Sequence, residues 1–175
     1  RLLSRLRTLY KEERKVHEVV LRLDPADPIF VQSCQLEAVR QDLMREGVRK
    51  FGGQIQALTD DLYANGVTNQ ALIASLNELC SDVLRISTNN LAQSATALRS
   101  LASEAGAKSD LAHAHAAYAV NSAARELGLL VLELGFEDAA DVMAREMHAA
   151  AETQATLRLR TTTASADPAL LAKEQ

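Results

Sequence analysis

Apolar side chains recur at helical spacing along most of the chain. In the first segment they are separated by three, four or seven residues, which is the spacing of a heptad repeat and favours a helix with one narrow apolar seam. Glu13 occupies the one seam position where an apolar residue is missing. We expect this seam to serve as a packing or oligomer interface; its members are Leu2, Leu6, Leu9, Val16, Val20 and Leu23.

A second helix is predicted after the sequence Asp24-Pro25-Ala26-Asp27-Pro28, where two prolines disfavour helix in the residues before them. Asp27 is suited to cap a helix that begins at Pro28. Asn65-Gly66 is typical of a left-handed helix end. The residues that keep helical register, and that we expect to face the core, are Leu36, Val39, Leu43, Phe51, Ile55, Leu58 and Leu62.

Glycines mark three possible hinges in this pattern: Gly52, Gly53 and Gly135. Two adjacent glycines inside a helix lower its stability by about 1–2 kcal/mol relative to alanines, so Gly52-Gly53 indicates a bend, a short break or the close approach of a neighbour. We expect Gly135 to end a helix in the left-handed conformation and Asp138 to start a last helix that reaches about Arg158.

The third and fourth helices are predicted from Thr68, as a cap, to Gly106 and from Ser109 to Gly135. The third carries a long leucine stripe from Leu72 to Leu101. Asn89 and Asn90 lie within this stripe, either buried as a determinant of register or oligomeric state, or with one in solvent and the other in a local hydrogen bond.

These segments predict an all-α fold, an antiparallel bundle of four to five long helices with a mobile C-terminal tail. Residues 1–160 form a single helical-bundle domain, in which residues 1–23 are the basic, heptad-like first helix, and residues 161–175 form the flexible tail. The composition agrees, because the chain is rich in Ala and Leu and only 3% aromatic.

Charge is distributed unevenly along the chain. The net charge is −4, yet residues 1–22 carry seven basic and three acidic side chains, which leaves −8 on the remainder. The acidic total argues against a nucleic-acid partner. A basic first helix beside an acidic body is expected to orient neighbouring subunits, and high salt is expected to weaken that attraction.

The location is expected to be cytoplasmic. No apolar run approaches the roughly 18 residues that span a bilayer, so no transmembrane segment is predicted. Cys34 and Cys80 lie inside helical apolar patterns without a second ligand at metal spacing, and we interpret them as small buried hydrophobes in a reducing compartment.

The chemistry-bearing side chains do not form a recognisable site, so no catalytic, cofactor-binding or metal-ligating residue is predicted. His113 and His115 are two residues apart, about 200° around a helix, and cannot hold one metal from the same helix. No glutamate precedes a histidine by three residues, the arrangement of helical di-iron sites. Glu133, Glu137 and Asp141 share a face that we interpret as solvated, with an Asp141–Arg145 pair.

The sequence therefore favours a non-enzymatic structural protein: a helical-bundle subunit that self-associates or scaffolds a larger complex with a homo-oligomeric or protein partner. A ligand- or metal-binding four-helix bundle is an alternative, and it would draw its ligands from different helices; the candidates are His17, His113, His115 and His148.

A second alternative comes from residues 90–134. In the order Leu101-Ala102-Ser103, Lys108-Ser109-Asp110-Leu111 and then an alanine-rich stretch, they resemble phasins, the helical proteins that coat polyester storage granules. The likeness covers a quarter of the chain and rests on alanine-leucine patterning. It implies reversible adsorption of an apolar helix face to a surface.

Overall fold

The computed structural model describes residues 2–67, 69–104, 109–135, 148, 151–152 and 154–156. Within them the fold is all-α, and no strand occurs in these ranges. The helices are α1 (Leu2–Arg22), α2 (Phe30–Ala64), α3 (Gln70–Arg85), a π-helical segment (Ile86–Leu91), α4 (Ala92–Ser103) and α5 (Ser109–Leu134).

The helices pack as an antiparallel bundle, as predicted. Along the α1–α2 pair Glu13 contacts Gln41, whereas Leu9, earlier in α1, lies beside Gly47, later in α2. The same reversal relates α2 to the continuous α3–π–α4 helix. Asn90 and Arg85 of that helix bond to Ser122 and Glu126 of α5, in opposite order along the two helices.

The helix ends follow local side-chain chemistry. The Asp27 carboxylate accepts a hydrogen bond from the Ile29 amide at 3.0 Å in the turn before α2. The N-cap is Ile29, without a side-chain capping bond, and α2 begins at Phe30, so the predicted cap at Asp27 and helix start at Pro28 are wrong. Gly66 has a φ of 70°, which confirms the left-handed end after α2. Asn69 caps α3, because its side chain accepts from the Leu72 amide at 3.1 Å, and the predicted cap, Thr68, lies outside the described residues.

The predicted glycine hinges behave differently from one another. α2 continues as helix through Gly52 and Gly53. A Cβ on Gly52 would lie 3.0 Å from Leu84 Cδ2, whereas one on Gly53 would meet nothing, so close approach of a neighbour explains Gly52 alone. Gly135 follows the last residue of α5 with Leu3 beside it, but its φ is not positive, so the expected left-handed cap is wrong.

The core consists of two apolar clusters, one toward each end of the bundle. One contains Leu9, Phe51, Ile86 and Leu127, and the other contains Val20, Cys34, Leu98 and Val120. Each helix of the bundle places a polar residue between its contributions to the two clusters. These residues, which we call the polar layer, are Glu13 of α1, Gln41 of α2, Ser94 of α4 and Asn121 of α5.

Some predictions fall wholly or partly outside the described residues. The Asp141–Arg145 pair and the tail 161–175 lie beyond them. Of the last predicted helix, residues 148, 151–152 and 154–156 are described and are helical. His148 and Glu152 form an ion pair there, with 3.3 Å between Nε2 and Oε1.

Candidate functional site

The two faces of α2 are reversed relative to the usual distribution of apolar and polar residues. Leu36, Val39 and Leu43, predicted to face the core, are 52%, 52% and 69% exposed. Glu37 and Gln41, between them in sequence, are buried. Our prediction of which residues face the core is therefore wrong in this part of α2, and Leu58 is also exposed. Phe51 and Ile55 face the core as predicted.

The four most exposed aliphatic residues in and just before α2 lie along one line. Ile29, just before the helix, is 55% exposed and is seven residues from Leu36, which is seven from Leu43. Val39 occupies the intermediate position, so the four residues have the a and d spacing of a heptad seam. We call Ile29, Leu36, Val39 and Leu43 the α2 stripe.

A groove of about 390 Å³ lies beside the α2 stripe, between α1 and α2. Leu43 and Met44 form its wall on α2, and Val16 and Val19 form its wall on α1. Gly47 opens the groove further. Its rim is mainly basic; the charged residues there are Arg5, Glu12, Lys15 and Arg40.

The predicted interface seam of α1 lies mostly inside the bundle. Leu6, Leu9, Val16 and Val20 are buried within a single chain, whereas Leu2 and Leu23 are partly buried. The structure brings these residues together as packing surface for the other helices. Their role in an oligomer stays a prediction, and the α2 stripe is the larger uncovered apolar surface beside α1.

Charged groups lie in the polar layer and directly beside it, and sequence reasoning did not identify them as a unit. Gln41 Nε2 donates to Glu13 Oε2 at 2.8 Å, and Arg14 Nη1 donates to Asn121 Oδ1 at 2.8 Å. Arg40 Nη1 donates to Glu37 Oε1 at 2.6 Å. The sequence signal for this cluster is the interruption of the α1 seam at Glu13.

Burial shifts the pKa values of two groups on α1, Glu13 in the polar layer and His17 beside it. The pKa of Glu13 rises from 4.5 to about 8, mainly because burial penalises the carboxylate, while Gln41 and Arg14 act in the opposite direction. The pKa of His17 falls from 6.5 to about 4, again through burial and then through the nearby Arg14 charge. Near neutral pH, therefore, both Glu13 and His17 are largely uncharged.

The histidines do not converge on a metal. His17 and His113 are buried, His115 is exposed, and His113 Nε2 lies within hydrogen-bond distance of the Val20 carbonyl oxygen. Among the described residues, no group of three His, Cys, Asp or Glu side chains has a metal-binding arrangement. These positions do not add support to the ligand- or metal-binding alternative.

The two cysteines are buried, free thiols, and burial raises both pKa values, that of Cys34 to about 11. Such thiols are poor nucleophiles, because the reactive form is the thiolate. The prediction of small buried hydrophobes is confirmed as far as their burial and free state are concerned.

A second groove, of about 370 Å³, lies where the π-helical segment and α4 face α5. Asn89, His115 and Tyr118 border it and are exposed. Asn89 is thus in solvent, as one of the two expected arrangements has it. Asn90 donates to Ser122 Oγ of α5 at 3.3 Å, so its hydrogen bond joins two helices and is not the local one expected. The groove holds no buried reactive group among the described residues.

Comparisons with known proteins return no resemblance: no family model, curated protein or solved structure matches the chain. In the described part of the chain, no helix has the length and apolar character needed to cross a membrane. The α2 stripe, the groove beside it and the polar layer beneath them are therefore the features of this chain that bear on its function.

Proposed function

We propose that this chain is a non-enzymatic assembly subunit that associates with a second copy of itself through the α2 stripe. The observation that carries the proposal is the reversal of α2, in which large aliphatic residues face solvent while Glu37 and Gln41 are buried. A continuous exposed apolar line of this kind is typical of an interaction surface.

The energetic argument follows from the area left exposed. Each residue of the α2 stripe has more than half of its surface in solvent. Covering the remaining half of a large aliphatic side chain contributes on the order of 1 kcal/mol. A stripe of four residues is small for a stable dimer, which buries roughly 1,200–2,000 Å² in total, and the adjoining groove with Val19 extends the surface.

The spacing of the stripe favours a second copy as its partner. A heptad line is complementary to another heptad line, and a two-fold axis lets the same patch serve both chains. In an antiparallel pair of α2 helices, the a positions of one helix face the d positions of the other. Leu36 of each chain therefore lies opposite Val39 of the other chain. In this register Arg40 faces Gln35 and Asp42 faces Ser33, both uncharged, and no like charges meet.

Light scattering coupled to size exclusion tests the proposal on the full chain over a range of concentrations. We expect a dimer for the wild type and a monomer for the double variant Leu36→Glu, Leu43→Glu, because two carboxylates would have to be desolvated at the interface. Leu111→Glu is the matched control, since Leu111 is 79% exposed and lies on α5, which packs on α1, the π-helical segment and α4.

A wild-type chain that stays monomeric at all concentrations overturns the proposal, and so does a dimer that Leu111→Glu disrupts while the α2 variant does not. Repeating the measurement at high salt separates the two contributions. The apolar pairing of the stripe persists in salt, whereas any attraction of the basic groove rim for acidic groups weakens.

A further inference from the structure

The docking surface proposed above lies on the contact between α1 and α2. That contact contains Glu13, the fully buried carboxyl group of the polar layer. Glu13 of α1 and Gln41 of α2 have no exposed surface, and their 2.8 Å hydrogen bond joins the two walls of the groove. Val16 and Met44, which line the groove, are each three residues from this pair.

We propose that a proton held by Glu13 keeps α1 and α2 in the arrangement that forms the docking surface, so that self-association is lost when this proton dissociates. The inference rests on the proposed function, since it names the regulation of the same surface. It requires no ligand other than the proton.

Some of the buried oxygens at and near Glu13 lack a hydrogen-bond donor. Three buried oxygens in this part of the chain, Glu13 Oε1, Gln41 Oε1 and Glu37 Oε2, have no hydrogen-bond partner within the described residues. All three are acceptors when both carboxyl groups are ionised. A carboxylic acid at Glu13 converts one acceptor into a donor, which lowers the cost of burying the group.

The charged groups that act on Glu13 lie on its own helix, α1, and on α2. Glu37 of α2 opposes its ionisation, and the Arg14 charge on α1 favours it. Arg14 is itself bonded to Asn121 of α5, and Glu37 is bonded to Arg40, so each charge is shared with another group. None of these partners outweighs the burial of Glu13.

The response to ionisation follows from the packing of α1. α1 contacts α5 far more extensively than it contacts α2. A buried carboxylate at Glu13 is therefore hydrated at the lowest cost by separation of α1 from α2, while α1 stays on α5. That separation moves Val19 away from Leu43 and removes the continuity between the groove and the α2 stripe.

The experiment measures the dimer association constant of the full chain by light scattering between pH 6.5 and pH 9, with helicity followed by circular dichroism. If each chain must hold its proton, the association constant at about one pH unit above the pKa of Glu13 drops about 100-fold. Glu13→Gln is the matched control, because it keeps the shape and cannot ionise; its association constant is expected to stay constant over this range.

The outcomes separate this inference from the proposed function. A wild-type dimer whose association constant does not change with pH, or changes equally in Glu13→Gln, overturns the inference and leaves the proposed function standing. A wild-type monomer at every pH overturns both. If Glu13→Gln does not fold, the carboxyl carbon resonances of the wild type decide: a glutamate that titrates together with dissociation supports the inference, and the absence of any glutamate titrating above about pH 7 overturns it.

Discussion

Gln41 donates to the carboxyl group of Glu13 across 2.8 Å at the middle of the bundle, where neither side chain has exposed surface. The pair interrupts the apolar core between its two clusters. Its protonation state consequently affects the stability of the folded chain as well as its association.

The stability of the monomer is expected to depend on pH in both directions. Folding raises the pKa of Glu13 from 4.5 to about 8. The stability that Glu13 contributes is therefore fully present below pH 4.5 and is lost as the pH rises toward 8. Folding lowers the pKa of His17 from 6.5 to about 4. The stability that His17 contributes is therefore fully present above pH 6.5 and is lost as the pH falls toward 4. Between pH 4.5 and pH 6.5 the loss of stability from Glu13 and the gain from His17 cancel, so these two groups leave the free energy of unfolding nearly constant.

Urea unfolding at a series of pH values checks this profile at concentrations low enough to keep the chain monomeric. Above pH 6.5 the free energy of unfolding is expected to fall by about 1.4 kcal/mol per pH unit until Glu13 ionises in the folded state. Glu13→Gln is expected to abolish the alkaline decline and keep the acidic one. An alkaline decline that survives in this variant contradicts the assignment to Glu13.

Exposed and buried leucines are expected to differ in their contribution to folding. Leu98→Ala removes a side chain with no exposed surface and is expected to lower the free energy of unfolding by about 2–5 kcal/mol. Leu43→Ala is expected to change it by less than about 0.5 kcal/mol in the monomer. Chemical unfolding measures both. A large loss for Leu43→Ala in dilute protein would show that Leu43 is part of the monomer core.

The adjacent glycines of α2 offer a matched pair. Gly53→Ala places its methyl group in open space and is expected to stabilise the helix by about 0.5–1 kcal/mol. Gly52→Ala brings its Cβ to 3.0 Å from Leu84, so part or all of this gain is offset by displacement of that side chain. Thermal unfolding of the two variants tests the order, and equal melting temperatures would contradict the close approach.

The Asn69 cap is expected to stabilise the start of α3. Asn69→Ala removes the acceptor for the Leu72 amide and is expected to cost about 1 kcal/mol. Asn69→Asp retains an acceptor and is the appropriate control. Urea unfolding distinguishes them, and an equal loss in both variants would assign another role to Asn69.

The thiols are expected to react slowly in the native protein. With a pKa of about 11, about one Cys34 side chain in ten thousand is a thiolate at pH 7. Labelling with a maleimide, followed by intact mass, is expected to modify neither Cys34 nor Cys80 rapidly until denaturant is added. Fast labelling of the folded chain would show that the helices around these cysteines open readily.

The fold was predictable from local signals, because Pro25 and Pro28 end one helix, Gly66 ends another and leucine periodicity covers the intervals between them. The direction in which α2 faces was not. Apolar residues occur on two sides of this helix, and periodicity alone selects the side with more leucines. The buried side includes Gln41, whose partner Glu13 is 28 residues away in sequence, and no pattern within one helix reveals such a pair.

The π-helical segment Ile86–Leu91 adds about one residue relative to a regular α-helix between two stretches that pack in different apolar clusters. Deleting a single residue there would restore regular backbone bonding and leave α4 in nearly the same orientation relative to α3, because a π-helical turn carries its extra residue through about the same rotation. Leu98 and Leu101 would then stay in their cluster. A one-residue deletion within α4 before Leu98 would instead turn Leu98 by about 100°. The six π-helical positions are thus the place in this long helix where residue number can change, and related sequences with this fold should lose a residue there more readily than within α4.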